Sequence, residues 1–411
     1  MYDPLKAQLP TLSVVDAGVY QVQGISLSIN VIQAVTVLQR AGFLALVTGG
    51  ALRDFMLGVH PRDVDLVTDA APRDMTALFQ QTRRSGSRFP VMVVKLGDQF
   101  IEIATVRCRD GEMAPKVKGP SRHAAPLLEL LDADSTQRDF TLNAMYYDPL
   151  LKRLYDPCGG ITDTRLRLLR PISTATACIQ SNPLTMMRAV RFTRCHSLTM
   201  EEKMQAAILA NAALLVAATT DRRLVELIKH LGSGHALACM KQLCHLQLHH
   251  YLLPGLDALV DTSADGHFLT IALSAFDAQP GLSSYASLFA TLLWPAMRQA
   301  RTRHALVAAN SRAAMEPVAR AVLTSCGAPL DLERHLGREI IAIWLSQCLL
   351  EEVGPASMAE VSSQTSFRAG LNLLMLRCEA GEVPASVAQW WLDAYAARKR
   401  ARPEPALSSS A

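Results

Sequence analysis

The stretch LVTGGALRDFMLGVHPRDVDLVT, residues 46–68, limits the possible folds more than any other part of the chain. A short β-type run ends at Gly49-Gly50, ALRDFMLG then reads as a helix stopped by Gly58, and VDLVT reads as a second strand. Asp63 and Asp65 stand at the start of that strand, two residues apart. Such a spacing puts both carboxylates on one face, where two like charges need a cation. Hard oxygen ligands suit Mg²⁺, and a pair of such ions clamping phosphate oxygens serves in-line phosphoryl or nucleotidyl transfer. The glycines let backbone N–H groups approach a triphosphate, a helix starting just after them adds a favourable dipole, and Arg53, followed by Asp54, offers further charge.

The flanking pattern predicts a mixed α/β unit. Residues 26–42 carry apolar positions at helical spacing and close on Gly42, and 71–81 read as a helix with Pro72 in its first turn. Residues 89–107 form two β-rich halves around GDQ, a hairpin. Glu102 sits in its second half among Ile101, Ile103 and Ala104, so it either faces solvent or joins the metal site. From about residue 180 the chain turns Ala- and Leu-rich at helical spacing, which predicts an all-helical second half.

Composition narrows the setting. Half of the 411 residues are hydrophobic, enough for two or three domains with their own cores. No apolar run approaches the roughly 18 uncharged residues of a membrane span, and the N-terminus lacks the pattern of a secretory signal. The nine cysteines are scattered with no C-x-x-C pair, which suits a reducing cytoplasm. A net charge of +4 permits a polyanionic partner without locating it. HLQLHH sets His245 and His249 at i and i+4 beside Cys239 and Cys244, but its spacing matches no zinc motif. The tryptophans of LLWP and QWW lie in apolar surroundings and read as packing anchors.

Residues 46–68, with Gly-Gly, Arg-Asp, D-x-D and Thr68, resemble the nucleotidyltransferase signature of the family that contains bacterial poly(A) polymerases and CCA-adding tRNA nucleotidyltransferases. Further blocks follow in order. STQRDFTLNAMYYD (135–148) resembles the second motif, YDPCGGITDTRLRLLR the third, NPLTMMRAVRF the fourth and DRRLVELIKHL the fifth; SLFATLLWP and LLMLRCEAGEVPASVAQWW are similar to the poly(A) branch. The resemblance implies an α/β nucleotidyltransferase head with a small mixed sheet at 1–150, an all-α neck at 151–235 and a helical, RNA-binding body at 236–411. It implies Mg²⁺-dependent addition of adenylate from ATP to RNA 3′ ends by a monomer, with Asp63, Asp65 and Glu102 catalytic and the first two as metal ligands. Nucleotide contacts are implied for Gly49, Gly50, Arg53, Asp54, Arg138, Asp139, Asn143, Asn182, Arg188 and Arg191. The basic run RKRAR at the C-terminal end is expected to track RNA backbone.

The fourth motif departs from the family pattern of an acidic pair, Pro, and an Arg three residues after the second acid. Here Ser181, Asn182 and Thr185 occupy those positions, and Gln137 replaces the Arg that usually precedes the Arg-Asp of the second motif. An amide at 182 can still pair with the donor–acceptor edge that adenine and cytosine share. Three alternatives to polyadenylation stay open: a weak or inactive RNA-binding paralogue, a CCA-type tRNA nucleotidyltransferase, and a nucleotidyltransferase acting on a small molecule or a protein.

Overall fold

A computed structural model describes residues 11–16, 18–85, 91–107, 124–261, 263–279, 284–303, 312–354, 358, 361 and 364–401. The chain divides into two units, one holding Met1–Ser181 and His196–Ile208, the other Asn182–Cys195 and Leu209–Ala411.

The first unit is built on a mixed sheet. Its strands are β1 (Thr11–Asp16), β2 (Val19–Gln23), β3 (Ala45–Thr48), β4 (Asp65–Thr68), β5 (Thr82–Ser85), β6 (Val91–Leu96), β7 (Gln99–Thr105), β8 (Tyr146–Asp148) and β9 (Arg153–Tyr155). They lie in the order β1-β2-β9-β8-β3-β4-β7-β6-β5. All neighbours are antiparallel except β4 and β7, which run parallel with Leu66 beside Ile103. The expected hairpin is β6–β7, turning at Gly97-Asp98.

Alternation along the strands decides which face is which. Val47, Leu66, Ile101, Ile103, Met92 and Val94 face one side, against Val31, Ala34, Val35 and Leu38 of helix α1 (Ile29–Arg40), Leu52 and Phe55 of α2 (Gly50–Met56), and Met75 of α3 (Pro72–Leu78). α1 starts where the Ser28 hydroxyl accepts from the Val31 N–H, and the chain leaves it through Gly42 at φ +86°. On the other face Leu46, Val67, Tyr146 and Tyr155 pack against Leu127 and Leu131 of α4 (Ala124–Ser135). That covers only the β2-β9-β8-β3-β4 part. Over β7, β6 and β5 the same face carries Glu102, Phe100, Lys95 and Arg83, which line a cleft of about 1000 Å³.

The Gly-rich turn of the third motif buttresses the second. Helix α5 (Gly160–Arg165) begins where the Asp156 carboxylate accepts from the N–H groups of Gly160 (2.7 Å) and Ile161 (2.9 Å). Its Asp163 accepts from the Thr141 hydroxyl at 2.7 Å and pairs with Arg170 at 3.4 Å. A Cβ on Gly160 would come within 2.4 Å of the Thr141 carbonyl, so the two backbones touch. Two further strands, β10 (Leu168–Leu169) and β11 (Thr199–Met200), form a separate parallel pair, and β11 is the β exception after residue 180 among the described residues.

The second unit is helical. The tryptophans anchor its packing: Trp391 is buried with its indole N–H donating to the Leu350 carbonyl, and Trp294 donates to Glu382 beneath the Arg377 guanidinium. Among the described residues no helix is long and apolar enough to cross a membrane, and the eight described cysteines are free thiols.

Gly160→Ala should therefore cost about 3 kcal/mol, because backbone must move to admit the methyl group. Urea denaturation of the two proteins measures the difference, and the loss should exceed that of Gly159→Ala, where a Cβ meets open space and only the positive φ is strained.

Candidate active site

The carboxylates converge as their spacing requires, with one adjustment. Asp65 is the first residue of β4, while Asp63 lies just before the strand; both line the cleft with Glu102. Parallel pairing explains the third member. One residue back from Leu66 and Ile103, the register sets Asp65 beside Glu102 on the open face. Desolvation in the cleft, then the charges of Glu102 and Asp63, push the Asp65 carboxyl up to about 6, against the opposing pull of Arg138.

The glycine turn abuts this set. Gly49 adopts φ +74° and ψ −140°, and a Cβ there would sit 3.5 Å from Asp65 Oδ2 and 3.9 Å from Arg138 Nη1. Only a glycine takes this backbone without strain.

The remaining residues expected at the head form two networks. Arg53 donates from Nη1 to Asn143 Oδ1 (3.0 Å) and from Nε and Nη2 to Asp54, while Asn143 donates from Nδ2 to Asp139 Oδ1 (2.9 Å). Asp54, Arg53, Asn143 and Asp139 thus make one chain that ties the first motif to the second. Arg53 and Asn143 are both buried, so the guanidinium braces the Gly49-Gly50 turn from behind. Arg138 belongs to the second network. It donates to Asp134 Oδ2 from Nη2 (3.0 Å) and to the Asn143 carbonyl from Nη1 (3.0 Å), and lies over the Tyr146 ring. The Tyr146 hydroxyl donates to the same Asp134 oxygen at 2.7 Å. Burial would lower the Arg138 pKa, but Tyr146 and Asp134 outweigh it and raise it.

Sequence reasoning missed Asp134, Tyr146 and His196, whose Nε2 lies 3.8 Å from Asp54. His196 meets Asp54 from far along the chain, whereas Asp134 stands four residues before Arg138, an i,i+4 spacing on which the pair could have been read. Phe100 and Lys95 were within reach of the alternation that placed Glu102.

In the second unit, Asn182 precedes helix α7 (Leu184–Cys195), its carbonyl accepting from the Thr185 N–H at 2.9 Å. To keep chain order, α6 denotes Ala175–Ser181 of the first unit. Thr185 is buried. Arg188 and Arg191 both lie over the Phe192 ring, at 5.5 and 4.7 Å. Arg191 Nε also donates to Glu226 at 2.8 Å, with Lys229 3.7 Å from the same carboxylate. Burial alone would raise the Glu226 pKa; Arg191 overrides it and holds it low.

Among the described residues, one set of three ligating side chains has donor atoms within 4.8 Å of one another: His249, His250 and Asp257. It draws on the HLQLHH segment but leaves out His245, Cys239 and Cys244. The head carboxylates face one cleft at a wider spacing.

A small mixed sheet with a left-handed Gly-Gly turn against strand-borne carboxylates defines a nucleotidyltransferase head, followed by helices. The chain belongs to the poly(A) polymerase and CCA-adding enzyme family. The model of the poly A polymerase head domain matches residues 45–170, that of a probable RNA- and SrmB-binding site of polymerase A residues 197–260, and that of the polymerase A arginine-rich C-terminus residues 308–411. Poly(A) polymerase I of Haemophilus influenzae is 30% identical over 397 residues, 92% of this chain and 87% of that one. The CCA-adding enzyme of Geobacillus stearothermophilus is 33% identical over 219 residues, 53% of each chain. A solved CCA-adding enzyme with ATP shares the fold at a TM-score of 0.61 and 17% identity, over 92% of this chain and 83% of its own.

The raised Asp65 pKa sets a pH dependence. Below about pH 6 a cation must displace a proton from the carboxylates, so affinity for Mn²⁺ should fall about tenfold per pH unit on the acid side and level off above. Glu102→Gln removes one repelling charge and should move the break to lower pH. Mn²⁺ titration followed by electron paramagnetic resonance reads both.

Proposed function

We propose that this nucleotidyltransferase adds adenylate from ATP to RNA 3′ ends. The observation that carries the reading is the extent of the sequence likeness: similarity to the Haemophilus influenzae poly(A) polymerase I runs over 92% of the chain and the arginine-rich C-terminal model matches as well, whereas sequence similarity to the Geobacillus stearothermophilus CCA-adding enzyme covers 53%.

In this reading the RNA 3′-hydroxyl attacks the α-phosphorus of ATP in line. A new P–O bond forms as the bond to pyrophosphate breaks, and the hydroxyl proton leaves to solvent. Asp63, Asp65 and Glu102 would hold divalent cations, Mg²⁺ by the hardness of the oxygen donors. Bound there, such ions neutralise charge developing on the phosphate oxygens. Gly49 and Gly50 bring backbone close to the triphosphate, and Arg53, Asp54, Asp139 and Asn143 keep that turn and the second motif in place. Arg138 adds positive charge beside Asp65.

On the second unit, Asn182, Arg188 and Arg191 are assigned to the nucleotide, with Glu226 and Lys229 orienting Arg191. Residues 1–150 would be the catalytic head, 151–235 the neck, and 236–411 the RNA-contacting body. The side chains of the basic run 398–402 lie outside the described residues, as do residues 108–123 before the second motif.

Position 182 favours one specific outcome. With Asn182 in place of an acid and Thr185 buried rather than presenting a charge, ATP and CTP should be discriminated poorly. Extension of an unstructured RNA and of a tRNA lacking its 3′ end, each with single nucleoside triphosphates, tests this. Incorporation confined to two C and one A on tRNA would transfer the assignment to CCA addition; no incorporation would point to a paralogue silenced at base selection.

Asp63→Ala and Asp65→Ala should each reduce extension by roughly a thousandfold or more while leaving the thermal transition in place, since each relieves like-charge crowding. RNA affinity should fall linearly with salt on logarithmic axes and vary little with sequence. Wild-type turnover in either variant would remove the carboxylates from the reaction.

A further inference from the structure

The open face of the head sheet bears an aromatic–cationic row beside its acidic one. Across β4, β7, β6 and β5 the registers align Asp65, Glu102, Val93 and Arg83. One step along the strands, about 7 Å away, Phe100 stands opposite Lys95. All of these side chains line the same cleft.

Phe100 is 67% exposed. On a strand whose alternate residues Ile101 and Ile103 are fully buried, this large ring is turned out of the core. Lys95 Nζ lies over the ring, 5.8 Å from its centroid, a cross-strand contact. At an exposed site such a cation–π pair supplies little stability, so it does not explain why the ring is there. Its place does. The attacking oxygen of an acceptor must lie at the carboxylates, and one nucleoside reaches from there to the next row. A flat, apolar ring accepts any base, as an enzyme that extends unrelated 3′ ends requires, and two cations alongside suit a phosphate.

The geometry points to Phe100 as the stacking platform for the 3′-terminal base of the RNA, with Lys95 and Arg83 holding the phosphate on its 5′ side. This inference rests on the proposed RNA 3′-adenylyl transfer and names the acceptor subsite of that same cleft. It draws only on the head, so it is independent of which nucleotide is selected.

The test uses the full chain and two short labelled oligoadenylates, one natural and one with an abasic 3′-terminal nucleotide. In fluorescence anisotropy the wild type should bind the natural oligomer about tenfold more tightly than the abasic one, a difference in the range of base–aromatic stacking. Phe100→Ala should abolish that difference, and Phe100→Trp should keep it. In steady-state extension Phe100→Ala should raise KM for RNA about tenfold with KM for ATP unchanged. Lys95→Ala should weaken both oligomers equally and lower the salt slope by about one phosphate contact. Equal loss of natural and abasic binding in Phe100→Ala, or a rise in KM for ATP instead of RNA, would overturn the platform. Binding is read without turnover. A chain that shows the stacking difference but never extends RNA would refute adenylyl transfer and leave the platform standing.

Discussion

Like-charge repulsion among Asp63, Asp65 and Glu102 is the constraint around which the head is organised. Three acids crowd one sheet face, and the charges of Glu102 and Asp63 add to desolvation in raising the Asp65 pKa. The fold places Asp65 at the start of β4, Asp63 just before it and Glu102 midway along β7, all lining the cleft on the half of the sheet that α4 leaves uncovered. Arg138 moderates the repulsion from one side. Its own position is fixed by hydrogen bonds to Asp134 and the Tyr146 hydroxyl.

How much of this was legible depended on how far along the chain each partner lay. The period of two along VDLVT was enough to bring Asp63 and Asp65 together, although the strand itself begins only at Asp65. Glu102 stayed ambiguous because alternation gives a face but not the neighbour on that face; the parallel register with β4 resolves it. Arg53 read as a triphosphate ligand from its position after the glycines. Its acceptor Asn143 is 90 residues away, and that bond turns the side chain inward. Thr185 likewise read as a truncated base contact, whereas its helix buries it. The aromatic anchors of the helical half were readable because their apolar neighbours are local.

The family blocks have structural reasons beyond substrate contact. Gly160 exists because Thr141 leaves no room for a side chain, and Asp156 and Asp163 fasten that junction. Asn143 closes the chain from Asp54 to Asp139. Several residues that the resemblance assigns to nucleotide are joined, in the chain itself, by hydrogen bonds that tie the first motif to the second.

The parallel pairing of β4 with β7 has a consequence for folding. A parallel neighbour cannot be reached by a tight turn, so the chain must run out through α3 and return along β5 and β6 before Glu102 meets Asp65. The antiparallel pairs β5–β6 and β6–β7 can zip locally; the β4–β7 pair must bear the entropy of closing the larger loop. The cleft carboxylates therefore sit on the least local pairing in the β4-β7-β6-β5 half of the sheet.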